Sequence, residues 1–233
     1  MENKEQNNDK LTKKGEFVEI IYTGYVNGNI FDTNDEENLK KLDPKVKPKK
    51  RVVLIGERMV VQGLDRALEG KKTGEEYEIE VKAKEGFGER DKNLIKTVPL
   101  KAFTEKEVNP RVGMILNLDN ALAKVIAVSG ARVIIDLNNP LAGKDIKYKF
   151  RIIGNVDDEK IKAESLFEFY MRFVPEFEIK GKEIVINAPK QMEMFIEPIE
   201  RKFKEILGKS IKIEEKVDKN KEKSDSEKVI EQK

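Results

Sequence analysis

Apolar and polar positions alternate along much of this chain, and the period of the alternation assigns elements before any chemistry is considered. In FVEIIYTGYVNGNIFDT two β-branched and aromatic runs flank Asn27-Gly28, a dipeptide that accepts the positive φ values of a tight hairpin turn. Strands are therefore expected near 17–26 and 29–33. The charged stretch 34–50, with Pro44 and Pro48, reads as a surface excursion before a strand at 51–55. Leu64, Ala67 and Leu68 fall at i, i+3 and i+4 with Gly70 at the C-terminal cap position, which predicts one short helix with a single buried stripe. In EYEIEVKAK the residues Tyr77, Ile79, Val81 and Ala83 face one way, and in KDIKYKFRII the residues Ile146, Tyr148, Phe150 and Ile152 do the same. The outward face of the first is mainly acidic and that of the second basic. Opposite charges attract across a strand pair, so these two strands are expected to be neighbours.

If they pair, the chain between Glu85 and Gly143 must leave the sheet and return close by. That span is too long for a structureless loop, and it carries its own strand-like runs at 93–98, 113–118, 122–128 and 131–137, punctuated by Pro99, Pro110, Asp119-Asn120 and Ser129-Gly130. A small β domain inserted at 89–138 into a domain of 1–88 and 139–154 is the expectation. Beyond Gly154, Ile161, Leu166, Phe167, Tyr170, Phe173 and Val174 form a helical stripe and FEIKGKEIVI a hairpin turning near Lys180-Gly181. Met192, Phe195, Ile196, Ile199, Phe203, Ile206 and Leu207 repeat at helical spacing, with Pro198 implying a kink or a later helix start. This gives a C-terminal α+β domain at 155–213. So small a domain buries little of its own surface, which makes a homodimer through it the expected means of covering its aromatic residues. Residues 214–233 lack the apolar content to order themselves and read as a flexible charged tail.

Composition narrows the chemistry. The 233 residues are 39% charged, yet net charge is only +2, so no whole-protein field draws the chain to nucleic acid or anionic lipid. No stretch approaches the ~20 apolar residues of a membrane span, and the N-terminal segment has no apolar centre, so a cytoplasmic protein is expected. With no cysteine and no histidine, thiol catalysis, His-paired nucleophiles, and thiolate or imidazole metal sites are excluded. Neither a metal nor a cofactor is expected.

The stretches YTGYVNGNIFDT, LIGERMVVQGLDRALEGKKTGEE and EGFG, then an insertion, then PLAGKDIKYKF, resemble the FKBP-type peptidyl-prolyl isomerases. More closely they resemble the SlyD-like and archaeal long-chain members, in which a chaperone domain is inserted in the loop called the flap. The resemblance implies an α+β fold: an antiparallel sheet wrapped on a short helix, an inserted small β domain, and an added C-terminal α/β domain. The implied chemistry suits a chain without His or Cys. Rotation about a peptide C–N bond meets a barrier of about 18–20 kcal/mol because of amide resonance, and lowering it breaks no bond. The two X-Pro isomers differ by only about 1 kcal/mol, so the work is purely kinetic.

The family's proline-binding cup maps onto Tyr22 and Phe31 as one wall, Asp32 at the rim, Met59, Val60 and Val61 as a side, and Leu64 as the floor. Phe87 and Tyr148 complete it. From pattern alone Tyr22, Phe31 and Leu64 are ordinary core, and Asp65, Arg66, Glu69, Lys71 and Lys72 are a solvated face. Three positions depart from the family. The floor, often Trp, is Leu64; the flap aromatic, usually Tyr, is Phe87 and lacks the hydroxyl; and Asn138 and Asn139 stand where relatives often have a His. The His-rich metal-binding tail of bacterial relatives is also absent, so nickel or zinc delivery is not implied. For the insert, the resemblance implies capture of unfolded or nascent polypeptides, with Leu94, Ile95, Val98, Met114, Leu116 and Val128 as candidate contacts. Two functional expectations follow: an isomerase acting on X-Pro bonds of captured clients, or mainly a holdase whose isomerase site is weak. A third, an adaptor docking through its C-terminal domain, has only the apolar stripes there in its favour.

Overall fold

The computed structural model describes residues 11–118 and 121–214. The first ten residues, the Asp119-Asn120 pair and all of the expected tail except Glu214 lie outside the described residues. Ile20–Lys50 and Leu54–Gly154 make up most of one compact unit, and the residues from Asn155 onward most of a second.

The hairpin forms as its dipeptide requires: β1 (Phe17–Val26) and β2 (Asn29–Thr33) turn through Asn27 at φ 49° and Gly28 at φ 78°. The charged excursion contains a helix that was not anticipated, α1 (Glu36–Leu42). It buries no residue, so it leaves no apolar period to read. Its support is local: the Asp35 side chain accepts from the Asn38 N–H at 3.0 Å, and Lys40 pairs with Glu36 at 2.7 Å. Next come β3 (Arg51–Leu54), α2 (Gln62–Leu68) and β4 (Glu76–Val81). A Cβ on Gly63 would come within 2.5 Å of the Val81 side chain, so glycine there lets α2 lie close on β4.

Four further strands, β5 (Ile95–Pro99), β6 (Ile115–Leu118), β7 (Ala121–Ser129) and β8 (Arg132–Asp136), form their own antiparallel sheet in the order β5-β8-β7-β6. A one-turn helix, α3 (Lys101–Thr104), was not foreseen and puts Phe103 into a core with Ala123, Val125, Val133 and Ile135. The chain then returns as β9 (Ile146–Asn155), and the first sheet runs β2-β1-β9-β4, with β3 pairing to β1. The two alternating strands do pair, Tyr77 opposite Phe150, Glu78 opposite Lys149 and Ile79 opposite Tyr148. Glu78 lies 2.7 Å from Lys147 and 3.5 Å from Lys149. These pairs are solvent-exposed, so they favour the register more than they add stability.

In the second unit Asp158 caps α4 (Glu159–Met171), accepting from the N–H groups of Lys160 and Ile161. Arg172 at φ 65° ends the helix, so the expected stripe stops short: Phe173 and Val174 lie beyond the helix and are exposed, as is Ile161. The hairpin β10 (Phe177–Lys180) and β11 (Glu183–Asn187) is joined by an unanticipated strand, β12 (Ser210–Glu214), parallel to β11. The last helix, α5 (Glu193–Leu207), runs through Pro198 rather than starting after it. Phe167, with its ring tilted against those of Phe177 and Phe203 at 5.2 and 4.5 Å, centres this core.

Candidate active site

A β-bulge organises the first part of the site. Thr23 pairs with Thr33 and Gly24 with Asp32, but Tyr25 pairs with Ile30, which leaves Phe31 as the extra residue of β2. Such a bulge re-aims a side chain, and Phe31 comes to lie edge-on to both Tyr148 of β9 and Phe87, at ring distances of 5.8 and 5.6 Å. Tyr22 of β1 meets Tyr148 edge-on at 6.0 Å. Four of the expected aromatics, Tyr22, Phe31, Phe87 and Tyr148, are therefore brought together, Tyr148 buried and the other three half-buried. Edge-to-face contacts suit the ring quadrupoles and hold such a cluster rigid.

Polar contacts fix its rim. The Tyr22 hydroxyl donates to Asp32 at 2.8 Å. The Asn34 side chain accepts from the Tyr22 N–H at 2.7 Å and donates to the Ile20 carbonyl at 2.8 Å, tying the end of the β2 hairpin back to β1. Burial pushes the Tyr148 phenol well above the usual tyrosine range, with the negative charge of Asp32 and the Tyr22 hydroxyl adding to it. It is a neutral O–H donor throughout the physiological range.

The expected side of the cup is built separately. Met59 is buried and its sulfur accepts from the Leu54 N–H at 3.1 Å, so its side chain closes the turn that carries it. Val60 and Val61, on the same turn, are half-buried. Leu64, 1% exposed, sits in the core side of α2.

Two positions that matter to the site escaped the sequence reading. Gly24 is one: a Cβ there would stand 2.6 Å from Phe31 Cζ and 2.9 Å from Tyr148 Cε1. A glycine inside a strand is the signal for such a close approach. The other is Asp65, expected on a solvated face and in fact only 6% exposed. Its carboxylate accepts from the N–H groups of Gly56 at 3.0 Å and Arg58 at 3.3 Å, pinning the turn that leads into Met59, Val60 and Val61. Gly56 at φ 94° and Arg58 at φ 55° take the left-handed backbone this turn needs.

The insert's candidates scatter. Val98 and Leu116 line a groove of about 560 Å³ beside α3, floored by Phe103, Val108 and Ile135 and flanked by Lys96 and Lys106. Leu94, Met114 and Val128 are exposed outside that groove and Ile95 is half-buried. Asn138, where relatives often have a His, is buried between the two crossings of the chain. It exchanges hydrogen bonds with the Asp91 backbone at 2.8 and 2.9 Å and donates to Asp136, which also holds Arg90. Burial pushes the Asp136 carboxyl up, but the hydrogen bonds from Asn138 and Arg90 outweigh it and hold it below the usual carboxylate range.

Among the described residues no group of three or more acidic side chains is arranged to hold a metal ion, and no helix is long and apolar enough to cross a membrane. The profile of the FKBP-type peptidyl-prolyl cis-trans isomerases matches residues 8–100, and that described as "FKBP26, IF domain" matches residues 96–141. A short-type peptidyl-prolyl cis-trans isomerase of Methanocaldococcus jannaschii is 30% identical over 145 residues, 61% of this chain and 92% of the relative. The FKBP-type isomerases SlyD of Yersinia pestis and Escherichia coli K12 are 32% and 29% identical over 104 residues, 43% of this chain and 53% of each relative. The chain thus spans about half the length of these SlyD relatives.

Proposed function

Because the chain belongs to the FKBP-type peptidyl-prolyl cis-trans isomerases, whose activity is rotation about X-Pro peptide bonds, we propose that its proline-binding cup is walled by Tyr22, Phe31, Phe87 and Tyr148. Asp32 stands at the rim, the turn Met59-Val60-Val61 forms a side, and Leu64 supports the floor. The observation that carries this reading is the rigid aromatic cluster closed over Gly24. A proline ring fits an apolar, aromatic cup, and enclosure there strips water from the imide. As the C–N bond twists, resonance is lost and the imide becomes less polar. A dehydrated apolar site therefore favours the twisted state over the planar one, which is the differential binding that catalysis requires. The test is a protease-coupled assay on a short X-Pro peptide: the Phe31→Ala, Tyr148→Ala double variant should lose at least about tenfold in kcat/KM, as expected when an aromatic site is truncated. An unchanged rate would remove the assignment.

We propose further that residues 89–138 act as a chaperone domain that captures unfolded or nascent polypeptide and raises the local concentration of X-Pro bonds at the cup. Supporting this are the apolar groove beside α3 and the edge positions of β5 and β6, whose backbones are able to take up an extended chain. The hydrogen bond from the Gly143 N–H to the Gly88 carbonyl, 2.8 Å long, brings the two crossings together, so residues 89–138 can be replaced by a short turn. That deletion should spare activity on the peptide and severely reduce acceleration of a proline-limited refolding reaction. Equal loss on both substrates would count against client capture. The missing hydroxyl at Phe87 is the one feature favouring a holdase with a weak cup. For the second unit the exposed Phe173, Met194 and Phe195 support a homodimer, and sedimentation as a monomer at all concentrations would remove it.

A further inference from the structure

Tyr148 is 3% exposed, yet its hydroxyl has no hydrogen-bond partner among the described residues. Its oxygen is not among the fully enclosed polar atoms that lack a partner, so the small accessible part of Tyr148 includes that oxygen. The Asp32 carboxylate, whose charge acts on Tyr148, already accepts from Tyr22 at 2.8 Å. On the flap side the ring facing Phe31 belongs to Phe87 and carries no hydroxyl. The quartet therefore holds two hydroxyls, that of Tyr22 engaged at the rim and that of Tyr148 unengaged. Because that oxygen is accessible, water can satisfy it in the free protein, and a ligand that excludes this water must supply an acceptor in its place or leave the hydroxyl unpaired at a cost.

The ligand's chemistry narrows what that partner is. Proline has no N–H, so the part of an X-Pro peptide that enters an apolar cup brings only carbonyl acceptors, and a donor in the aromatic wall is their complement. Two carbonyls are within reach of a bound proline: the imide carbonyl on the rotating bond and the proline's own. The imide oxygen is most basic when the amide is planar and resonance-polarised, so a donor fixed on it would hold the ground state and oppose rotation. A donor on proline's own carbonyl acts equally on the planar and twisted forms.

We propose that the Tyr148 hydroxyl hydrogen-bonds the carbonyl of the bound proline itself, anchoring the substrate from the sheet in place of a hydroxyl on the flap. The inference rests on the cup assigned above. Its burial keeps the phenol protonated, as a donor must be.

The experiment uses the full-length protein and the isosteric substitution Tyr148→Phe, with thermal unfolding to establish that the fold is kept. Two peptides are compared: a short X-Pro peptide, and the same peptide with a thioxo group at the proline's own carbonyl, since sulfur is the poorer acceptor. Expected for Tyr148→Phe is a fall in kcat/KM of roughly three- to tenfold, the worth of one neutral hydrogen bond, carried by KM with kcat moving by less than about twofold. The thioxo peptide should show a raised KM with the wild-type protein and no further rise with Tyr148→Phe. An unchanged KM, a shift of kcat larger than that, or a thioxo penalty that persists in the variant each overturns the proposal. Failure of the cup assignment looks different: it appears as an unimpaired Phe31→Ala, Tyr148→Ala double variant.

Discussion

The ring of Phe31 lies against the backbone of Gly24, two β-strands meeting at a bulge, so closely that a methyl group on Gly24 would stand 2.6 Å from Phe31 Cζ. Gly24→Ala must push Phe31 or Tyr148 aside. Overpacking of this kind costs about 1–3 kcal/mol, and here the displaced rings are the proposed walls of the cup. The variant should lose at least about tenfold in kcat/KM, more than its loss of stability accounts for. Thermal unfolding and the peptide assay on the same sample separate the two effects, and an active Gly24→Ala would show that the quartet is not the site.

Asp65 is placed to act on the proposed cup through the turn it holds. Asp65→Ala leaves the Gly56 and Arg58 N–H groups without their acceptor, a loss of about 1–3 kcal/mol, and frees the turn that presents Val60 and Val61. Asp65→Asn keeps one acceptor oxygen and should lose less on both counts. Urea unfolding ranks the two variants; an Ala variant as stable as wild type would mean that the turn is held by other contacts.

The lowered carboxyl of Asp136 predicts acid sensitivity for the sheet of β5 to β8. Its folded pKa lies below its unfolded value, so its contribution is present above the ordinary carboxylate range, near pH 4, and is lost as pH falls from there through the lowered folded value. Amide exchange in β7 and β8 should speed up over that window in wild type and show no such step in Asp136→Asn. A wild-type insert equally protected on both sides of the window would contradict this.

The groove beside α3 can be challenged without disturbing its floor. Ala102 lines it and is exposed, so Ala102→Glu places a charge at its mouth while Phe103 stays buried beneath. Glutamate is a good helix former, and the insert should keep its circular dichroism. Suppression of client aggregation should fall several-fold at unchanged activity on the short peptide. If aggregation were suppressed as well as before, client binding would have to lie elsewhere, for instance at the edges of β5 and β6.

What was legible in the sequence is what has a period. Tyr77, Ile79 and Val81 against Tyr148, Phe150 and Ile152 disclosed two strands, and the Glu and Lys residues between them disclosed their pairing. From that one inference the expectation of an inserted domain followed, and four strands of a separate sheet do lie between β4 and β9. What was not legible lacks an apolar period or depends on a neighbour. Helix α1 has no buried face. The strand β12 is only five residues long, beside a charged tail. Asp65 looks like any surface carboxylate until the turn at Gly56 folds over it. The site was legible only by resemblance: nothing in NIFDT says that Phe31 is the extra residue of a bulge, because the register is set jointly by both strands.

The pairing of β4 with β9 also fixes an order of events during synthesis. Val81 meets Ile146 only after the whole insert has left the ribosome, whereas the contacts within β5 to β8 span residues 95–136 alone. Closing the longer loop costs more chain entropy and contributes the more distant contacts, so it comes later. The nascent chain thus completes its four-stranded sheet before β9 can close the first one, an order that pulse-labelled amide exchange on stalled chains would read directly. If that sheet captures clients as proposed, a newly made molecule should be able to hold an unfolded partner before it is able to turn a proline.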